Sequence, residues 1–389
     1  MAIYYDDDAF TVEETDDLET ESVYDVNIKV FGIGGGGCNA LEHMAKQGVS
    51  GVEYIAVNTD VPALRAKDKS LMRRLQIGKK TTKGRGAGGD PAVAAESARE
   101  DSDDIHKALD GASMAFISAG MGGGTGTGAA PVIAEIAKSM GILTVGIVTK
   151  PFDFEREQKM NQALKGIAEM RKHVDALVII PNQRLLKLNE RALNFKQAFA
   201  MVDDVLYNVV RSISELLNNT ATMNIDFADL RSTLESAGDA HIAIGVGMGD
   251  NKVDEAVQKI VNSPLLETSI SNAGKVLVNV VMSEDTLLYE VDEVMNKITG
   301  AAHPDVEVIY GADYDSSLKD EMIVTIIATC FDNDNVIREV KVHKEKESDN
   351  FFEKDEADES EPLDKLITQT LSANYDDPFR DLDEIFKKR

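Results

Sequence analysis

Cysteines, long apolar runs and an amino-terminal basic region are scarce or missing in this chain. Among its 389 residues only Cys38 and Cys330 are cysteines, too few for a disulfide framework and not spaced as metal ligands. No run of about 18 apolar residues is present, and the first Lys or Arg is Lys29, so the start lacks the basic region of a secretory signal. We therefore expect a cytoplasmic protein with reduced thiols, no structural zinc and no direct membrane insertion.

Positive charge is also scarce. Lys and Arg number 41 against 68 Asp and Glu, which gives a formal net charge of -27. Proteins that grip nucleic-acid backbones need Lys and Arg patches to release counterions, so general nucleic-acid binding is not expected. The scarcity of Lys and Arg does not argue against binding of a single nucleotide, because main-chain N–H groups can hold its phosphates. Much of the acidity falls in residues 1–25 and 344–365, which are predicted to be disordered.

The first half of the chain, from Val26 to about Lys187, alternates short β-rich runs with helical segments. The β-rich runs are VNIKVFGI, VEYIAVN, SMAFISAG, ILTVGIVT and DALVIIPN. This alternation predicts a parallel sheet wrapped by helices. Residues 195–217 then show helical apolar spacing and predict a long helix that links two domains.

The second half predicts a smaller, mixed α/β domain. Helices are expected over Asp226–Ser236, from Lys252 and from Asp285. The expected strands are AHIAIGVGMG, KVLVNVVMS, DVEVIYG, MIVTIIATCF and VIREVKV. No repeat of fixed period is present, so solenoids and propellers are not expected.

The strongest functional signal is the glycine-rich loop GMGGGTGTG, residues 120–128. It directly follows the apolar run Ala115–Ala119 and precedes the helical stretch APVIAEIAKSM, an order typical of phosphate sites. Glycines let main-chain N–H groups converge on phosphate oxygens, and the hydroxyls of Thr125 and Thr127 can donate as well. A flexible linker is the plainer alternative. No Lys-Ser or Lys-Thr pair ends the loop, so it is not a Walker P-loop.

A second glycine-rich loop, Gly32 to Gly37, follows the first predicted strand and matches G-x-G-x-x-G, with Asp60 at the end of the second strand. On its own this pattern indicates a Rossmann dehydrogenase that binds NAD. The stronger loop at 120–128 and a third glycine turn at 84–90 argue against that alternative. Three loops around one pocket suit a nucleoside triphosphate better than a dinucleotide.

A set of ordered motifs resembles the FtsZ family of tubulin-like bacterial cell-division GTPases. The motifs are GIGGGGCNA, NTD, GAGGD, GGGTGTG, PFDFE, IPN, MVDDVL and NIDFADL, spread over roughly residues 27–342. The resemblance implies a tubulin/FtsZ-like α/β fold with a parallel, Rossmann-like GTP-binding sheet, a long central helix and a smaller mixed α/β domain. It also implies GTP or GDP as the bound nucleotide and head-to-tail filaments that form a ring at the division site.

The resemblance assigns phosphate contacts to all three glycine-rich loops. The phosphate cradle consists of Gly35, Gly36, Gly37, Gly122, Gly123, Gly124, Thr125, Gly126 and Thr127, and the loop that closes over the γ-phosphate contains Ala87, Gly88 and Gly89. Mg²⁺ is expected to accompany the nucleotide and to neutralise its charge. No residue of the chain is assigned as a metal ligand.

Guanine is the base that the resemblance implies, read by Asp203 on the long helix. Its carboxylate can accept hydrogen bonds from guanine N1–H and N2–H₂, donors that adenine does not present together. Phe199, one helical turn earlier, would pack on the base, although the sequence alone favours an ordinary core aromatic there. Asn182 and Asn39 correspond to further base contacts.

Catalytic carboxylates are predicted outside these loops, in the motif NIDFADL. Asp226 and Asp229 lie three residues apart at a predicted helix start, so both project on nearly one face. Taken alone, this spacing is most simply helix capping, with Asp226 as the N-cap and Asp229 in the first turn. The resemblance instead implies that Asn224, Asp226 and Asp229 enter the nucleotide pocket of the next subunit. The monomer would then be nearly inactive.

The ribose region and the segment before the catalytic motif depart from the family pattern. Glu155 corresponds to a ribose contact, and Lys159 stands where the family usually has Arg, which keeps the charge but loses the bidentate fork. The residues NNTAT at 218–222 replace a more usual Lys-Pro-Gly stretch. A scaffold that binds GTP and polymerises without turnover is the alternative function, and the presence of Asp226 and Asp229 argues against it.

These expectations divide the chain into six segments. They are a disordered acidic arm (1–25), a GTP-binding domain (26–193), a central helix (194–217), a GTPase-activating C-terminal domain (218–342), a disordered linker (343–374) and a partner-binding peptide (375–389). The last segment loosely resembles the family's adaptor-binding peptide. We expect it to bind division-machinery and membrane-anchoring adaptors.

Overall fold

The structure is a computed structural model that describes residues 26–49, 51–186, 194–217, 223, 225–263, 265–266 and 269–331. Its strands are β1 (Ile28–Ile33), β2 (Val52–Asn58), β3 (Arg73–Gln76), β4 (Met114–Gly120), β5 (Leu143–Lys150), β6 (Ala176–Pro181), β7 (Gly238–Met248), β8 (Ala273–Met282), β9 (Glu307–Tyr314) and β10 (Glu321–Phe331). The predicted arm 1–25, the predicted strand VIREVKV, the linker 343–374 and the peptide 375–389 lie outside these residues.

Helices connect and cover the strands. They are α1 (Gly34–Gln47), α2 (Val61–Arg65), α3 (Pro91–Glu100), α4 (Ser102–Leu109), α5 (Thr125–Ser139), α6 (Glu157–His173), α7 (Asn182–Leu185), α8 (Phe195–Leu216), α9 (Phe227–Leu234), α10 (Lys252–Val261) and α11 (Leu288–Ala301). Among the helices of the described residues, none has both the length and the hydropathy to cross a membrane.

The strands form one ten-stranded sheet in the order β3-β2-β1-β4-β5-β6-β7-β10-β8-β9. From β3 to β7 all neighbours are parallel, whereas β10 runs antiparallel to both β7 and β8. The central strand β1 is buried at every residue, as expected when helices cover both faces of a parallel sheet. The order reverses direction between β1 and β4, which is where ligands bind in open α/β sheets.

Two apolar layers flank the parallel part of the sheet. On one face α1 and α8 pack against alternate residues of β1, with Leu41 of α1 and Val209 of α8 in the same cluster as Val30. On the other face α3, α4, α5 and α6 pack against the opposite side chains, for which Phe31 and Ile133 are examples. Each parallel strand is followed by a helix that buries one face of the sheet. The predicted parallel sheet wrapped by helices is confirmed.

A third apolar cluster belongs to the second half of the chain. Helices α10 and α11 pack on β7, β8 and β10 through residues such as Val257, Ile298 and Val324. β7 joins this part to the parallel sheet, because its first residues pair with β6 and its following residues pair with β10. The long helix α8 and the smaller mixed α/β part are therefore as predicted.

Small departures from the predicted elements have local causes. β3 was not predicted, because its sequence RRLQ is short and polar with only Leu75 buried, as suits an edge strand. α11 begins at Leu288 rather than at Asp285, because the Glu290 carboxylate accepts the main-chain N–H of Leu287 at 2.7 Å and fixes the first turn there. α9 ends at Leu234, since Ser236 has a φ of 55°.

Candidate functional site

A cavity of about 340 Å³ lies at the reversal point between β1 and β4, beside the first turns of α1 and α5. Its lining includes many of the predicted nucleotide contacts. These are Gly36, Gly37, Asn39, Gly122, Gly123, Glu155, Lys159, Asn182, Phe199 and Asp203. Residues predicted from five separate segments of the chain thus surround one space.

The other predicted loop residues lie next to this lining rather than in it. They are Gly35, Ala87, Gly88, Gly89, Gly124, Thr125, Gly126 and Thr127. The Thr125 hydroxyl is 2.8 Å from the Thr59 hydroxyl, and the Thr127 hydroxyl accepts the main-chain N–H of Gly122 at 2.9 Å. Both threonines therefore shape the loop in this structure.

The three glycine-rich loops are in direct contact. A Cβ added to Gly34 would come within 2.8 Å of the Gly126 nitrogen, and one added to Gly124 within 3.0 Å of the Asp90 nitrogen. The Gln162 side-chain amide donates to the carbonyl oxygens of Gly89 and Gly123, at 3.0 Å each. The third loop is thus tied to the second beside the cavity.

Gly35 and Gly123 have no structural need to be glycine within the chain itself. A Cβ at either position would meet no heavy atom within 4 Å, and neither residue has a positive φ. Packing explains Gly34 and Gly124, but it does not explain these two. Space above a main chain at a helix amino terminus is what a bound phosphate requires.

Two buried polar atoms at the cavity have no hydrogen-bond partner among the described residues. They are the Ser118 hydroxyl oxygen, in β4, and the Asn182 Oδ1 atom, at the start of α7. Both residues line the cavity. Buried polar groups are normally hydrogen-bonded, so a polar ligand is the expected partner.

Asp203 lies on α8 and lines the same cavity as Gly37 of α1 and Gly123 of the loop before α5. Burial is the main reason that the pKa of its carboxyl is raised to about 6, with Asp204 adding to the rise and with His43 and Lys67 acting against it. Asp204 itself is 2.7 Å from the His43 ring and so belongs to the contact between α1 and α8. A carboxylate held in this way favours a ligand that offers hydrogen-bond donors.

Phe199 belongs to an aromatic cluster at the cavity. Its ring centroid lies 5.2 Å from that of Phe152 and 4.9 Å from that of Phe195, and Phe154 stacks on Phe152. Phe199 nevertheless remains 36% exposed and lines the cavity, so it is only partly a core aromatic. Its free surface suits a flat aromatic ligand.

Glu155 and Lys159 form an ion pair with 3.0 Å between Oε2 and Nζ. The other Glu155 oxygen accepts the main-chain N–H of Phe152 at 3.0 Å. Between them Arg156 has a φ of 79°, an uncommon conformation for a residue with a side chain. The predicted ribose contacts are therefore fixed by local bonds at the edge of the cavity.

Cys38 lies in α1 behind the glycine-rich loop. Burial raises the pKa of its thiol to about 12, so the group stays neutral, and it donates to the Gly32 carbonyl at 3.2 Å. Cys38 and Cys330 are both free cysteines. The thiol of Cys38 is part of the packing of α1.

The carboxylates predicted for catalysis lie at the start of α9. Asp226 is its N-cap, and both Asp226 and Asp229 are exposed. Neither residue lines the cavity of its own chain, and Asn224 lies outside the described residues. Among the described residues no cluster of three or more His, Cys, Asp or Glu side chains could hold a metal ion.

Sequence reasoning missed three residues that shape the site. Ser118 could have been noticed as the polar residue near the end of an apolar strand, two residues before the longest glycine loop. Gln162 and Lys67 had no such signal. The partners of Gln162 are 73 and 39 residues away in the sequence, and the Asn39 partner of Lys67 is 28 residues away. Contacts at that separation depend on the tertiary fold.

Sequence comparison with known proteins is consistent with a nucleotide site at the glycine-rich cavity. Residues 27–190 match the GTPase domain of the Tubulin/FtsZ family, and residues 238–332 match the C-terminal domain of the FtsZ family. The chain is 47% identical over 310 residues to the cell division protein FtsZ of Wigglesworthia glossinidia brevipalpis, covering 79% of this chain and 80% of that protein.

Solved structures give the same result. The FtsZ dimer of M. jannaschii superposes with a TM-score of 0.74 at 38% identity, over 78% of this chain and 88% of that chain. CetZ2 of Haloferax volcanii shares the fold, with a TM-score of 0.67 at 20% identity over 83% of this chain and 99% of that chain. The tubulin-like fold, the glycine-rich cavity and the matches over both halves lead to one conclusion: the chain belongs to the FtsZ family of cell-division proteins, with a tubulin-like GTPase domain.

Proposed function

We propose that this chain binds GTP in the cavity beside α1 and α5 and hydrolyses it when subunits stack head to tail. One observation carries the nucleotide assignment. Gly36 and Gly123 line one part of the cavity with bare main chain at helix amino termini, and Asp203 lines another part with a buried carboxylate. Main-chain N–H groups suit phosphates, and a carboxylate suits the paired donors of guanine.

The hydrolytic step needs a group that the cavity does not supply. The carboxylates in its lining belong to Glu155 and Asp203. Glu155 is engaged by Phe152 and Lys159, and Asp203 is assigned to the base. A carboxylate that orients the attacking water would therefore come from a second subunit, through the exposed Asp226 and Asp229. The relative from M. jannaschii was solved as a dimer, which supports this arrangement.

Mg²⁺ is proposed to accompany the nucleotide. Because the described residues contain no cluster of three acidic, His or Cys ligands, the ion would be held by phosphate oxygens and water rather than by a protein cage. When bound, it neutralises charge on the phosphates. The protein's own part is to place main-chain N–H groups around them.

The cellular role follows from the family. We propose that the chain forms filaments that assemble into a ring at the division site in the cytoplasm, with residues 375–389 binding membrane-anchoring adaptors. The proposed domains are 26–193 for GTP binding, 194–217 for the central helix and 218–342 for GTPase activation. The match of residues 238–332 to the FtsZ C-terminal domain supports the last of these.

Phosphate release from GTP, measured across a range of protein concentrations, tests the proposal. Activity per molecule should rise with concentration, because two chains build each site. NADH fluorescence in the same samples tests the dehydrogenase alternative and should not respond to the protein. Filaments without phosphate release would instead favour a scaffold that binds GTP and does not turn it over.

A further inference from the structure

Lys67 contacts a residue of the cavity without lining the cavity itself. Its Nζ atom is 2.6 Å from the Asn39 Oδ1 atom and 2.8 Å from the Glu42 Oε2 atom. The side chain is only 11% exposed, which is unusual for lysine in a surface segment. Glu42 is also paired with Lys46, at 3.3 Å.

The contact fixes which way the Asn39 amide points. A lysine ammonium carries three donors and no acceptor, so the Asn39 atom next to it must be the oxygen. The Asn39 nitrogen is then the group left for a ligand, since Asn39 lines the cavity. Asn39 therefore presents a hydrogen-bond donor there.

A donor at this position complements guanine rather than adenine. Guanine has an acceptor, O6, beside its N1–H and N2–H₂ donors, whereas adenine has an amino donor in place of O6. Resting on the GTP binding proposed above, we propose that Lys67 is a specificity-determining positioning residue, which orients the Asn39 amide so that it donates to O6 of guanine. Asp203 would read the two adjacent donors of the same edge.

The position of Asn39 relative to Asp203 supports this assignment. His43, one helical turn after Asn39 on α1, contacts Asp204 on α8 at 2.7 Å, so this face of α1 lies against the segment that holds Asp203. The positive charge of Lys67 also lowers the pKa of Asp203, against the effect of burial. Lys67 thus favours the ionised carboxylate as well as the donor orientation of the amide.

The plainer interpretation is that Lys67 only anchors its loop to α1 through Glu42. Lys46 provides the matched control, since it also pairs with Glu42 but has no hydrogen bond to Asn39. Loss of an anchor would weaken the binding of every nucleotide to the same extent. Loss of an oriented donor would weaken only the binding of bases with an acceptor at position 6.

The experiment measures Kd for GTP, ITP and 6-thio-GTP at pH 7 with the full chain and its Lys67→Met, Lys67→Arg and Lys46→Met variants, and Kd for ATP with the parent chain. ITP keeps O6 but lacks the 2-amino donor, and 6-thio-GTP keeps that donor but has a poorer acceptor at position 6. The parent should prefer GTP over 6-thio-GTP. Lys67→Met should reduce this preference by roughly three- to tenfold, the range for one neutral hydrogen bond, while the preference for GTP over ITP persists.

Lys67→Arg, which can still donate to Asn39, should restore most of the preference, and Lys46→Met should leave it unchanged. KM for GTP should rise in Lys67→Met while kcat at saturating GTP stays the same. Equal weakening of all three nucleotides in Lys67→Met, or an unchanged 6-thio-GTP preference, overturns the inference. A parent chain without any preference for GTP over ATP would instead refute the proposed GTP binding.

Discussion

The Asp226 Oδ1 atom accepts a hydrogen bond from the main-chain N–H of Asp229 at 2.7 Å. This bond makes Asp226 the N-cap of α9, so the two carboxylates have different structural roles. The Asp226 side chain already has a structural partner, whereas the exposed Asp229 side chain is not the cap. Capping and catalysis, which the sequence presented as alternatives, can therefore be tested separately at the two positions.

The first prediction separates the two roles of Asp226. Asn caps a helix about as well as Asp, whereas Ala does not, so Asp226→Ala should lower the free energy of unfolding by about 1 kcal/mol and Asp226→Asn by much less. Chemical denaturation measures both. If the carboxylate also acts in hydrolysis, Asp226→Asn should lose most of the GTPase activity while keeping its stability. A fully active Asp226→Asn would leave capping as its only role.

The second prediction concerns the open space above Gly123. Gly123→Ala introduces no clash within the chain, so its unfolding free energy should be unchanged or slightly higher, while GTP binding should weaken by tenfold or more. Gly300 in α11 is the matched control, being exposed with nothing within 4 Å of an added Cβ. Gly300→Ala should stabilise the chain by about 0.5–1 kcal/mol and leave binding intact. Equal GTP affinity in both variants would contradict the assignment of Gly123 to a phosphate.

The third prediction is a pH dependence of GTP affinity. With its pKa raised to about 6, Asp203 is ionised above that pH and protonated below it. Only the ionised carboxylate offers both oxygens as acceptors to the paired guanine donors, so affinity should be full near pH 7.5 and fall as the pH drops through 6, by at most about tenfold per unit. Among the described residues, the groups that act electrostatically on this carboxyl are His43, Asp204 and Lys67.

Phosphate groups of GTP titrate in a similar range, so Asp203→Asn supplies the control. The variant should bind GTP weakly, and its affinity should keep only the pH dependence that comes from the nucleotide. Isothermal titration calorimetry from pH 5 to pH 7.5 gives both curves. Identical curves for the parent and the variant would show that Asp203 does not read the base.

Most of the fold could be predicted because its signals are local. The five β-rich runs of the first half are each confirmed as strands, since their near-continuous apolar character is what burial on both faces of a parallel sheet requires. β3 was missed because RRLQ at an edge buries only Leu75. The strand had no apolar signal to detect, and its pairing with β2 is a tertiary contact.

The lining of the cavity could be predicted only where a residue belongs to a motif that the family resemblance or the glycine-rich pattern makes recognisable. Glycine runs, Asp203 and Asn182 belong to recognisable motifs, and the structure places them around one cavity. Gln162 and Lys67 belong to no recognisable motif. They are ordinary polar side chains on a helix and a loop, and they acquire a role only through partners that are distant in sequence. The orientation of an amide such as that of Asn39 is likewise set by a neighbour in space.

The last prediction concerns Asp229 and the sharing of one active site between two chains. Asp229 does not line its own cavity, so Asp229→Ala should bind GTP normally and still assemble, while hydrolysis falls by about 10²-fold or more if the residue orients water. A partner variant, Gly124→Val, should lose GTP binding, because even a Cβ there comes within 3.0 Å of the Gly89 carbon and the Asp90 nitrogen. Filaments of Asp229→Ala should persist longer than those of the parent, as light scattering would show.

Mixing the two variants rebuilds a complete site, since one chain holds GTP and the other offers an intact Asp229. The mixture should release phosphate faster than either variant alone. The rate should be proportional to the number of filament contacts in which the Asp229 of a Gly124→Val subunit reaches the GTP held by an Asp229→Ala subunit. Asp229→Ala mixed with Gly300→Ala controls for the effect of adding an intact GTP-binding chain, and it should be more active than the test mixture. If monomeric Asp229→Ala fails to bind GTP, or if its mixture with Gly124→Val is no more active than the sum of its parts although both variants enter filaments, the carboxylate acts within its own chain and the shared site is refuted.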